Sequence, residues 1–218
     1  MAKKKLEQRS YTFEVRAESD EKHGTYIVGK PIVYESKTDI GGMFAEIIHK
    51  GALDNADLRD VRFLVNHDQT KIPLARSRRN NENSTMQLKV VSDGMDIRVN
   101  LDTENNMDAR ALYSAVQRGD ITGMSFMFGV SEETWEGLES EYPTRHINGI
   151  STVVEVSAVT FPAYEDTQIS ARGKQALDNA KATLDNVRQN KPDGLTNADD
   201  SKKELELLKA KNQILGGF

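Results

Sequence analysis

Along the front three quarters of the chain, short segments alternate apolar and polar residues with period 2, the pattern of half-buried strands. It predicts strands at Tyr11–Ala17, Thr25–Tyr34, Val61–Asn66, Met86–Ser92, Met95–Leu101, Gly123–Val130 and Ile150–Thr160. Two stretches follow helical spacing instead. Met43–Leu53 places Met43, Phe44, Ile47 and Ile48 on one stripe, and Met107–Val116 does so with Met107, Ala111, Leu112 and Ala115. Asn105 or Asn106 supplies an N-cap to the second, and Gly119 ends it. Strands that do not alternate with helices predict an α+β, β-rich domain, a barrel or sandwich rather than a doubly wound sheet.

The pattern changes near residue 170. Thirteen of the 14 aromatic residues lie at or before Tyr164, and so do all four histidines. Of the net charge of −5, the front carries −6 and residues 174–218 carry +1. A segment so rich in charge and poor in aromatics buries too little apolar surface to fold compactly alone. Residues 1–172 are therefore expected to form the globular domain, and 173–218 a helical or disordered C-terminal tail. Within the tail, Leu177, Ala180, Leu184 and Val187 form one narrow helical stripe ending near Lys191-Pro192-Asp193-Gly194. A second candidate helix follows Asp199-Asp200-Ser201, with Leu205, Leu208 and Leu215 on its stripe.

Composition narrows the chemistry. Without cysteine there is no disulfide, thiolate nucleophile or Cys-based zinc site. No apolar run of about 18 residues is present to span a bilayer, and Met1-Ala2-Lys3-Lys4-Lys5 is not followed by the core of a secretory signal. The acidic balance argues against nucleic acid as a partner. Neither metal-ligand spacing nor a phosphate loop is found, so no metal or cofactor is expected.

Three residues stand out as candidates for chemistry. His67 follows the predicted strand Val61–Asn66, where scaffold gives way to loop; a hydrogen-bonded turn of Asn66, His67 and Asp68 explains the same residues equally well. Ser125 lies in Gly123-Met124-Ser125-Phe126-Met127-Phe128-Gly129, a small hydroxyl among large apolar neighbours and outside any G-x-S-x-G elbow. Alone, a serine in an apolar strand is more often a tolerated small core residue. Glu155 sits in a strand apolar on both faces, where a carboxylate needs a partner, either an imidazole or an arginine such as Arg62 or Arg145. His23 reads as a turn residue, His49 as the C-terminal end of the first helix, and His146 as a loop or hairpin residue.

In order along the chain, four segments resemble the prohead serine proteases of tailed bacteriophages, of the HK97 type. They are Gly41-Gly42-Met43-Phe44-Ala45-Glu46-Ile47-Ile48 with Lys50-Gly51-Ala52-Leu53; Leu64-Val65-Asn66-His67-Asp68; Gly123-Met124-Ser125-Phe126-Met127-Phe128; and Glu155-Val156-Ser157-Ala158-Val159-Thr160-Phe161-Pro162-Ala163. Leu53 departs from the aromatic usual in the family. The resemblance implies a fold similar to the herpesvirus assembly protease, a β-barrel with surrounding helices. It also implies a serine endopeptidase with Ser125 as nucleophile, His67 as base and Glu155 as the residue that orients the imidazole. The herpesvirus enzymes use a second histidine in that third place, for which His146 is the substitute. Implied substrates are the scaffold segment of the major capsid protein and the enzyme's own tail, cut in the host cytoplasm inside the assembling procapsid. By the same analogy a homodimer or higher homo-oligomer is expected. A non-catalytic capsid assembly or scaffolding factor, which would not need the three residues to converge, is the competing expectation, followed by a hydrolase of another acyl substrate.

Overall fold

The structure is a computed structural model that describes residues 6–11, 15–160 and 167–189. The chain divides into two compact units, Met1–Gln175 and Ala176–Phe218.

The first unit is a β-rich α+β structure. Its strands are β1 (Leu6–Tyr11), β2 (Val15–Asp20), β3 (Gly24–Val33), β4 (Thr38–Ile40), β5 (Phe44–Ile48), β6 (Arg62–Val65), β7 (Ala75–Arg76), β8 (Met86–Val91), β9 (Gly94–Asn100), β10 (Gly123–Glu136) and β11 (Thr144–Val159). Helix α1 (Met107–Arg118) precedes β10, and α2 (Thr167–Gln189) follows β11. One sheet runs β1-β10-β11-β5-β4, with β6 pairing to both β11 and β7; the other runs β2-β3-β9-β8. Among the described residues no pairing closes either sheet on itself. Side chains from both sheets and α1 share one core, with Ile27, Phe63, Met95, Met124, Phe126, Phe128 and Val156 fully buried. Each contributes roughly 1.5–3 kcal/mol by leaving water.

The strand that organises the site is β11. One edge pairs antiparallel with β10 along its length. The other edge is shared end to end by two parallel partners, β5 against Thr144–Ile147 and β6 against Glu155–Ala158. The end of β6 is thereby fixed beside the C-terminal part of β11, directly across from β10.

Helix α1 forms as expected. The Asn106 side chain accepts from the N–H groups of Asp108 and Ala109, and Gly119 closes the helix at φ 80°. The predicted helix over Met43–Leu53 is instead β5 and the turns after it. Gly41 and Gly42, at φ 60° and 70°, turn the chain out of β4, and Phe44–Ile48 then lies between β4 and β11. Over five residues, a strand buried on both faces yields the same apolar cluster as a helix stripe, and β-branched Ile47 and Ile48 suit the strand. His49 consequently follows a strand rather than ending a helix. His146, expected in a loop or hairpin, is within β11 opposite Thr134 of β10, since both strands extend well past the predicted Gly123–Val130 and Ile150–Thr160. β1, β4 and β7 were not expected from the pattern, and β2 begins later than the predicted Tyr11–Ala17.

The tail stripe falls on α2, which starts at Thr167 and so runs through the expected boundary at 172. In the second unit, Leu177 is buried and Ala180, Leu184 and Val187 are half-buried, while residues between them are exposed. The second candidate tail helix, with Leu205, Leu208 and Leu215, lies outside the described residues. No helix among the described residues is long and apolar enough to cross a membrane.

Candidate active site

Ser125, His67 and Glu155 meet on three adjacent strands. In the β10–β11 ladder Ser125 faces Ser157 and Met127 faces Glu155, so Ser125 and Glu155 are diagonal neighbours on one face. On the other side of β11, Leu64 is level with Ser157 and Val65 with Ala158. The next two residues, Asn66 and His67, take φ 50° and 58°. Left-handed backbone is easy for Asn and costly for His, so the turn needs anchoring. The Asn66 N–H donates to the Ala158 carbonyl at 2.9 Å, its side-chain oxygen accepts from the Thr160 N–H at 2.9 Å, and the His67 N–H donates to Ser157 Oγ at 3.0 Å. The hydrogen-bonded turn and the site position are thus the same feature.

These bonds turn the His67 ring between the other two residues. Nδ1 lies 2.7 Å from Glu155 Oε2 and Nε2 lies 2.6 Å from Ser125 Oγ. A carboxylate can only accept, so Nδ1 carries the proton and Nε2 is the free base facing the hydroxyl. Ser157, two residues beyond Glu155 on the same face of β11, links the group: its hydroxyl donates to Glu155 Oε1 while accepting from the His67 N–H. Both carboxylate oxygens are thus held. Glu155 and Ser157 are almost wholly buried and Ser125 fully so, while the His67 side chain keeps 14% exposure. Removal from water strengthens each of these bonds. Chemically, the arrangement can deprotonate a hydroxyl and stabilise the imidazolium that results.

The alternative partners of Glu155 are engaged elsewhere. Arg62 reaches Asp60. Arg145 of β11 joins Arg9 of β1 in a network with the buried Glu7 and Glu46 and also reaches the more exposed Glu133 of β10. Burial works against the Glu7 charge, but the bonds from Arg145 and Arg9 outweigh it and hold the carboxyl down at about 2. The same carboxylates push Arg9 and Arg145 upward against burial. His146 does not take the third place: it stands nine residues before Glu155 on β11, roughly 30 Å along an extended strand. Its Nδ1 instead meets His49 Nε2 at 2.9 Å, with the rings stacked and Glu35 and Glu136 at the two outer ends. Among the described residues no cluster of three or more His, Cys, Asp or Glu is arranged to hold a metal ion.

Residues 11–182 match the family model described as Caudovirus prohead serine protease, and the chain belongs to that family. Membership makes it a serine protease with a role in capsid maturation. No curated protein and no solved structure matches the chain at a significant level.

Proposed function

We propose that this prohead protease cuts peptide bonds with Ser125 as nucleophile, His67 as general base and acid, and Glu155 as the group that orients the imidazole. His67 Nε2 takes the Ser125 proton as Oγ attacks a peptide carbonyl, and then returns it to the leaving amine. Water, deprotonated by the same nitrogen, releases the acyl group. Glu155 keeps the Nδ1 proton in place throughout and balances the imidazolium. The pair of contacts at 2.6 and 2.7 Å on the two nitrogens of one ring is the observation that carries these roles.

The substrates inferred from the family are the scaffold segment of the major capsid protein and the enzyme's own C-terminal residues, cut inside the assembling procapsid. In this account residues 1–172 are the protease domain, built like the herpesvirus assembly protease, and 173–218 the segment it removes. Of that segment's described residues, those from Asp178 to Arg188 are exposed or half-buried, which is where a protease can reach. Co-expression with the capsid protein of the same phage tests the assignment. Wild type should convert the capsid protein to a shorter form that Ser125→Ala and His67→Ala leave intact. Conversion by Ser125→Ala would refute the assignment.

A further inference from the structure

The nucleophile assigned above is fully buried, and what covers it is a piece of the same chain. β1 is an edge strand that pairs antiparallel with β10, Arg9 level with Phe126 and Ser10 level with Ser125. The Ser125 hydroxyl, besides facing His67, donates to the Arg9 carbonyl oxygen at 2.8 Å. A backbone carbonyl therefore sits against the serine where a substrate's carbonyl must arrive, carried by a strand that adds to a sheet edge as extended peptides do.

We propose that β1 is an intramolecular blocking strand, which must leave the edge of β10 before a substrate chain can take its place. This rests on Ser125 being the nucleophile. Two features make it a block rather than a substrate. Oγ lies 2.8 Å from the oxygen of the Arg9 carbonyl, which competes with His67 Nε2 at 2.6 Å for the hydroxyl proton. One proton cannot serve both acceptors. The strand is also held down from within: the Arg9 guanidinium donates Nε to Glu46 Oε1 and Nη2 to Glu46 Oε2, each at 2.5 Å, and Nη2 also reaches Glu7 at 2.8 Å. Glu46 belongs to β5, so β1 is bolted across both β10 and β11 to the strand beyond them. All of β1 except Tyr11 lies ahead of the residues matched by the family model. Displacement of β1 by a competing strand supplies a means of delaying activity until such a strand is abundant, as in a packed shell.

The test is the rate at which a fluorophosphonate labels Ser125. In that reaction an Oγ–P bond forms, the P–F bond breaks, fluoride leaves and the serine proton passes to His67. The full-length chain, its Arg9→Glu variant and a chain starting at residue 12 are compared, each beside its Ser125→Ala control. If labelling scales with the fraction of molecules in which β1 is open, Arg9→Glu and the shortened chain should label at least about tenfold faster than wild type. Hydrogen exchange on wild type carried to completion gives a measure free of altered folding. Labelled protein should show faster exchange at residues 6–11 than unlabelled, with no change in β3 and β9. Equal labelling rates in all three chains, or unchanged exchange at residues 6–11 after labelling, would overturn the block while leaving the serine assignment intact. Absence of labelling at Ser125 in every chain would overturn both.

Discussion

At the residue scale, the contribution of each member of the site differs in kind. Ser125→Ala removes the hydroxyl proposed as nucleophile and should lower turnover of a capsid-derived peptide by about 10⁴-fold or more. Glu155→Gln keeps the size of the side chain but offers Nδ1 a neutral acceptor, or a donor that forces the wrong tautomer. A loss on the order of 10²–10⁴-fold in kcat is expected, with KM nearly unchanged. Steady-state kinetics on the two variants checks the split.

A second residue-scale consequence concerns acid. The Glu7 carboxyl is held at about 2, against 4.5 for a free glutamate. Its stabilisation is therefore complete above pH 4.5 and is lost as pH falls toward 2, on the order of 3 kcal/mol over that span. Urea denaturation of wild type and Glu7→Gln should show a stability gap that is constant above pH 5 and narrows below 4.5. A gap that widens with acid would contradict the ion-pair account.

Residue types and local pattern singled out Ser125, His67 and Glu155 without deciding between chemistry and structure, since each conflicts with its surroundings: a hydroxyl among aromatics, an imidazole at a strand exit, a carboxylate in an apolar strand. The resemblance joined them into one proposed site, and the structure brings the three side chains together. Their partners were not legible. Arg9 meets Glu46 37 positions away, and Arg145 meets Glu7 across 138. No periodicity encodes pairs so distant. Ser157 had the only available signal, its place two residues beyond Glu155 on the same face.

At the scale of elements, alternation located the strands whose inward faces are apolar, including most of β3, β6, β8, β9, the N-terminal part of β10 and the C-terminal part of β11. It failed on β1 and β5 for opposite reasons. In β1, Glu7, Gln8 and Arg9 are all buried, the charges being satisfied by one another, so Leu6-Glu7-Gln8-Arg9-Ser10-Tyr11 shows no apolar alternation. β5 is buried on both faces and shows too much. Register between β3 and β9 depends on Gly94, at φ 151°, where a Cβ would lie 2.0 Å from the Ile32 carbonyl oxygen. Because that obstacle is backbone, Gly94→Ala must shift a strand. A loss of at least about 2 kcal/mol is expected, read as a lower urea midpoint with the slope preserved. An unchanged midpoint would mean that the two strands part easily there.

For the whole molecule, the division of charge and aromatics visible in the sequence has a functional counterpart in the proposed self-processing. Intact-mass analysis of the protease recovered after co-expression with the capsid protein should show the chain shortened at its C-terminal end in wild type and uncut in Ser125→Ala. Identical masses in both, from wild type that cleaves capsid protein, would remove self-processing from the account. The sheets, the turn at Asn66 and His67 and the central position of β11 all serve to hold one imidazole between a hydroxyl and a carboxylate. Whether that hydroxyl is activated is measured most directly by prolonged incubation with a fluorophosphonate, digestion, and mass-spectrometric location of the adduct. A single adduct on Ser125, lost in His67→Ala, is predicted. An adduct on another serine, or undiminished labelling of Ser125 without His67, would contradict the account.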